Sequence, residues 1–245
     1  MSPPVTFATA KRVLRQLRRD PRTIALLLVV PSVLLTLLKY AFDQSPESFQ
    51  RVGGPLVGLF PFITMFLVTS ITMLRERTTG TLERLMTTPM GKLDLLLGYG
   101  IAFAVVGTVQ AVITSVVAFG LLDLHVEGST VLVAVLAVLN ALLGMSMGLF
   151  VSAFARTEFQ AVQFMPALVF PQLLLCGLFV PRERMAPLLE AVSYALPLTY
   201  AFDALERVTV DGELGGGGVV DVIVVAGLVL AFLALGAVTL PRRTP

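Results

Sequence analysis

Residues Leu74–Asp94 read LRERTTGTLERLMTTPMGKLD, a charge-dense insert between two long apolar runs, approximately Pro55–Leu74 and Leu95–Leu122. A helix rises about 1.5 Å per residue, so runs of about 20 apolar residues are long enough to cross a hydrocarbon core of roughly 30 Å. A charged stretch that follows one such run and precedes another is a loop between two membrane spans. The rest of the chain repeats this pattern. Six runs are predicted, at about Thr23–Phe42, Pro55–Leu74, Leu95–Leu122, Thr130–Phe154, Ala161–Val180 and Val219–Leu240.

Composition agrees. The 245 residues are 56% hydrophobic and 14% charged, well below the roughly 25% charge of soluble domains, and the mean hydropathy is +0.88. The expectation is an all-α polytopic membrane protein. The basic segment up to Arg22 precedes a full-length run with no small-residue cleavage site after it, so no cleaved signal is expected. The one cysteine, Cys176, has no partner for an internal disulfide and reads as a small packing residue. With no tryptophan, Tyr40, Tyr99, Tyr194 and Tyr200 are the aromatics available for the membrane interfaces. Only Lys11, Lys39 and Lys92 stand against a larger number of arginines, which points to a GC-rich bacterial genome.

Lys and Arg placement sets the orientation. The segment before the first run, the loops after the second and fourth runs and the C-terminal tail together hold thirteen of these cations, against five on the other side. Both termini are therefore expected in the cytoplasm. The predicted organisation is a cytoplasmic amphipathic helix in 1–22, a six-span region in 23–240 and a cytoplasmic tail in 241–245. Within the span region, 74–94 is an inner loop and 181–218 an external segment.

At 100° per residue, Phe7, Ala10, Val13, Leu14 and Leu17 share one side of a helix over Phe7–Arg19, with Lys11, Arg12, Arg15, Arg18 and Arg19 on the other. Such a helix lies flat on the inner surface, its cations on anionic headgroups. The same cations serve equally as a topology signal. Asp20 and Pro21 suit the cap and first position of the first span. Pro31, Pro61, Pro166 and Pro171 should kink their helices. Gly144 and Gly148 lie four apart and form a small-residue strip, either internal or at a subunit contact. From Pro181 to Arg207 the chain is too broken by proline to span and too apolar for a solvated loop. A re-entrant hairpin in the outer leaflet fits, with non-helical backbone held against protein or a wet cavity. Gly215–Gly218 would then be a flexible joint into the last span.

Several chemistries are excluded. The sole histidine, His125, lies in a short outer loop, and the chain has no HExxH motif, Cys/His cluster or metal-ligand set. The middles of the predicted spans lack Asp, Glu, Lys and Arg, so an ion-driven carrier has no obvious proton or sodium relay. Gly91-Lys92 lacks the upstream glycine and following Ser or Thr of a phosphate loop, so this chain is not expected to hydrolyse ATP. If nucleotide energy drives it, the nucleotide sits on another chain. In TLERLMTT, Leu82, Leu85 and Met86 can share a helix face, with Glu83 and Arg84 opposite. A groove on a soluble partner could receive that ridge, although a solvated loop is the simpler reading of the stretch on its own.

Arg75-Glu76-Arg77-Thr78-Thr79-Gly80-Thr81-Leu82-Glu83-Arg84-Leu85, followed by Thr88-Pro89, resembles the ER-x-x-G-T-L-E-x-L…P signature between spans two and three of ABC-2 type permeases. Leu196-Pro197-Leu198-Thr199-Tyr200-Ala201-Phe202-Asp203-Ala204-Leu205 resembles the PLTY-x-x-(D/E)-A-L element before their last span. The nearest flavour is the daunorubicin-resistance type of drug exporter. The arginine that often follows that element falls one residue late here, at Arg207.

The resemblance implies a plasma-membrane exporter subunit that binds no cofactor itself. ATP and Mg would sit on two copies of a separate ATP-binding subunit. A second permease copy, identical or similar, would complete the complex in the lipid bilayer, and nucleic acid has no part. Arg75, Glu76, Arg77, Gly80, Thr81, Leu82, Glu83, Leu85 and Pro89 would receive the ATPase movement, together with the basic helix. Pro197, Leu198, Thr199 and Tyr200 would shape the re-entrant segment. A hydrophobic or amphipathic substrate would meet Phe62, Thr64, Met65, Phe66, Gln163, Phe164 and Phe170. Alternatives are export of a lipid or lipid-linked glycan, and a nontransporting anchor or sensor for an ATPase.

Overall fold

The computed structural model describes residues 3–79 and 92–239. Gly80, Thr81, Leu82, Glu83, Leu85 and Pro89, the expected helix over Gly80–Thr88 and the tail 241–245 lie outside the described residues. The described residues are helical: α1 Pro3–Arg18, α2 Pro21–Ala41, α3 Pro46–Thr78, α4 Lys92–Val116, α5 Thr130–Ser152, α6 Glu158–Phe164, α7 Phe170–Leu175, α8 Pro187–Ser193, α9 Pro197–Glu206 and α10 Gly215–Thr239. Single π turns extend α4 over Val117–Leu121, join α6 to α7 over Met165–Val169 and extend α9 over Arg207–Asp211.

Five segments are long and apolar enough to cross a membrane: Pro21–Ala41, Pro46–Thr78, Asp94–Leu121, Thr130–Ser152 and Gly215–Thr239. The chain is a multi-pass membrane protein. The fifth predicted run is the exception, because it is divided into α6, the π turn and α7, and ends in bends after Leu175. Pro166 and Pro171 each lack a backbone donor there, and the Gln172 side chain turns back onto the Leu168 carbonyl (Nε2 to O, 2.9 Å). The second span is longer than its apolar core. At 33 residues α3 reaches about 50 Å, so both ends project past the hydrocarbon, and Arg75–Arg77 belong to the helix rather than to the loop.

Helix starts follow their caps. Asp20 accepts from the Thr23 amide and hydroxyl at 3.2 and 2.6 Å, with Pro21 in the first turn. These bonds hold the Asp20 carboxyl below its ordinary pKa. Thr157 caps α6 through the Gln160 amide, and Gln160 reaches back to the Arg156 amide at 2.8 Å.

The core is the parallel pair α3 and α5, with α10 against α5, α4 beside both, and α1 laid on α4. Glycine decides the closeness of that pair. A Cβ on Gly144 or Gly148 would collide with the carbonyl oxygen of Phe62 or Phe66, so the small-residue strip is an internal contact. Ser70 adds a bond to the Gly148 carbonyl at 3.3 Å. Backbones this close gain dispersion and weak hydrogen bonding that lipid tails cannot supply.

Within 181–218 the backbone is more helical than expected: Pro187–Ser193 and Pro197–Glu206 are two helices joined by a three-residue turn, because Pro187 and Pro197 each occupy a first turn, where their missing N–H costs nothing. Gly215–Gly218 form the first turn of α10 and are not a joint. A Cβ on Gly217 would press on the Arg207 guanidinium, and one on Gly218 would meet the Leu214 side chain at 2.8 Å.

Candidate functional site at the α1 end

α1 is amphipathic, but part of its polar side faces protein. Thr6, Thr9, Ala10, Val13 and Leu17 are buried. The closest approach is at Gly98 of α4, where a Cβ would stand 2.6 Å from the Thr9 side chain. Thr6 Oγ1 donates to the Asp94 carboxylate at 3.3 Å. Phe7, on the same apolar side, is exposed and free to face the interface.

Lys11, Arg15, Arg18 and Arg19 are exposed. Arg12, expected on the same side, turns inward. Its Nη2 donates to the Tyr99 hydroxyl at 2.6 Å and lies 3.6 Å from Glu76 Oε1. Tyr99 is wholly buried, not an interface aromatic, because its hydroxyl finds this partner inside the bundle.

The last turn of α3 sends three consecutive side chains to three different elements. Arg75 makes a bidentate pair with Glu158 at the start of α6, at 2.7 and 2.9 Å. That pair holds the Glu158 carboxyl below its ordinary pKa. Glu76 faces α1, where Gln16 Nε2 also donates to it at 3.4 Å. Arg77 donates to the Ser152 carbonyl at 2.6 Å and so caps the end of α5. At 100° per residue, three successive helix positions must point apart. The turn that opens into residues 80–91 is thus tied to α1, α5 and α6 at once. Beside it, Gln16, Leu17, Thr72 and Thr79 line a cavity of about 300 Å³.

At the opposite end, the Pro197–Tyr200 motif locks the α8–α9 corner. Pro197 starts α9, and the Leu198 amide donates to Gln172 Oε1 at 3.3 Å. The Thr199 hydroxyl bonds the Ser193 carbonyl, and Tyr200 bonds the Tyr194 carbonyl, both at 2.7 Å. The pairs Arg182–Asp203 at 2.7 Å and Arg207–Asp221 at 3.4 Å fasten the same corner. Sequence reasoning missed both. Asp221 inside an apolar run was the available signal, since a lone carboxylate there needs a cation.

The proposed substrate residues are not brought together. Phe62, Met65 and Phe66 are fully buried between helices, and Thr64 accepts from Gln110. Gln163 and Phe170 are exposed, with Phe164 between.

The sequence profile of the ABC-2 type transporter family matches residues 4–209. The chain belongs to that family. Among ABC-2 relatives, the probable multidrug ABC transporter permease YbhS of Escherichia coli K12 is 26% identical over 206 residues, 84% of this chain and 55% of that protein. The linearmycin resistance permease protein LnrN of Bacillus subtilis 168 is 26% identical over 216 residues, 84% and 52% of the two chains. ABC transporter G family member 20 of Dictyostelium discoideum is 27% identical over 157 residues, 64% and 22%. The chain spans about half the length of the bacterial relatives or less. The α3 turn with Arg75, Glu76 and Arg77 lies inside the ABC-2 match.

Proposed function

We propose that this chain is the membrane-spanning permease of an ATP-binding-cassette exporter, moving a hydrophobic or amphipathic compound out across a bacterial plasma membrane with ATP hydrolysed on separate subunits. Two such subunits and a second permease copy complete the complex, and the α1 end faces the cytoplasm. The supporting observation is the last turn of α3. A push on residues 80–91 reaches α1 through Glu76, α5 through Arg77 and α6 through Arg75, so these elements respond together. The middles of the membrane-length helices carry no ionisable side chain among the described residues, which favours an external source of energy over an ion relay. The names of YbhS and LnrN support a drug-like or antibiotic cargo.

The test uses inverted membrane vesicles holding this chain and a co-produced ATP-binding subunit. ATP should drive uptake of an amphipathic dye, and Leu82→Asp should abolish uptake while both subunits still assemble. Uptake driven by a proton or sodium gradient without ATP would overturn the reading.

A further inference from the structure

A cavity of about 420 Å³ opens at the end opposite α1, between the end of α2, the first turns of α3, the 177–184 loop and α9. Phe42 and Phe202 give it an apolar wall, and Phe179, 66% exposed, extends that wall toward the surface. Arg51, Arg184 and Glu206 supply its charge. Neither arginine forms an ion pair among the described residues. Burial raises the Glu206 carboxyl, and Arg51 is the charge that most opposes this rise, so the two act on each other.

The cavity is built into the fold. Gly177 adopts φ +110, and a Cβ there would stand 3.0 Å from the Phe202 ring, so the loop can curve over α9 only with glycine. The 2.7 Å Arg182–Asp203 pair, with Arg182 stacked 5.4 Å from the Tyr194 ring centre, fixes the same loop.

We infer that this cavity binds an amphiphile with a single negative charge, its carboxylate or phosphodiester head on Arg51 and Arg184 and its apolar body on Phe42, Phe179 and Phe202. Among the lining residues, two guanidinium groups stand against one carboxylate. Guanidinium recognises carboxylate and phosphate oxygens through paired donors. The volume lies within the range of small-molecule pockets, and a few convergent polar groups on an apolar wall are the usual composition of such sites. This deepens the exporter reading by naming the class of cargo or lipid met at the release side, but binding itself requires no ATP-binding subunit.

Purified chain in uncharged detergent is titrated with 11-(dansylamino)undecanoic acid and, separately, with its methyl ester, following dansyl fluorescence. The acid should bind saturably and the ester about tenfold more weakly or not at all. Arg51→Gln and Arg184→Gln should each weaken the acid about tenfold, the loss of one charge-assisted hydrogen bond, with unchanged melting and gel-filtration profiles. Displacement by dodecanoate alone assigns a carboxylate solute, and displacement by lysophosphatidylglycerol alone assigns a lipid head. Displacement by both supports the shared site. Equal binding of acid and ester, displacement by neither, or no effect of either substitution overturns the inference. Lost binding with ATP-driven dye uptake intact would reject the site and spare the exporter reading. Binding intact with no ATP-driven uptake would do the reverse.

Discussion

Arg12 of α1 and Glu76 of α3 face each other at 3.6 Å, with the Glu76 side chain 8% exposed and the Arg12 side chain 30% exposed. Glu76 Oε2 is buried with no hydrogen bond among the described residues, and Arg12 and Gln16 both meet the other oxygen, Oε1. Glu76→Ala should cost about 1–3 kcal/mol by leaving the inward Arg12 without its carboxylate. Arg12→Ala should cost a similar amount, and the double substitution less than the sum. Thermal melts of the four proteins in detergent check this, and strict additivity would show that the two do not interact.

Arg75 and Arg77 are two residues apart in one helix turn but differ in consequence. The Arg75–Glu158 pair is exposed on both sides, 58% and 52%, and Glu158→Gln should change stability by less than about 1 kcal/mol. Arg77 caps the Ser152 carbonyl from a half-buried position, and Arg77→Gln should cost about 1.5–3 kcal/mol. The order of the two melting shifts is the measurement.

Glycine contacts separate packing from propensity. Gly144→Ala pushes a methyl group into the Phe62 backbone and should destabilise by about 1–3 kcal/mol. Gly227→Ala meets nothing within 4 Å and should be neutral or slightly stabilising. Equal effects in a melt would mean that α3 and α5 can separate without loss.

Burial raises the Asp203 carboxyl to about 6 despite its bond to Arg182. The folded state therefore holds this proton more tightly than the unfolded chain. The stability it contributes is complete below the ordinary aspartate range and is lost as pH rises through about 6. Glu206 is raised by burial and adds in the same direction. The melting temperature should fall between pH 4 and pH 6.5, and Asp203→Asn should flatten the fall. A wild-type profile that rises over that interval would contradict the assignment.

Much of the bundle is legible in the residues alone. Runs of apolar residues must avoid water, so α2, α3, α4, α5 and α10 follow from hydrophobic length. The Asp20-Pro21 and Pro197 starts follow from local capping. The ER-x-x-G and PLTY elements are readable as positions. The role of Glu76 is not, because its partners Arg12 and Gln16 are 64 and 60 residues distant and reach it only when α1 lies on α4.

Sequence by itself determined that this chain crosses a membrane several times and that a charged stretch separates its second and third membrane-length runs. Those properties depend on hydropathy and period, which are sums over neighbouring residues. Tertiary structure alone decided which helix the Gly144–Gly148 strip meets, that Arg12 leaves the polar face, and that Arg51, Arg184 and Phe202 share one cavity. Each depends on side chains distant in sequence, whose meeting is set by helix rotation and crossing, and no local pattern records those angles.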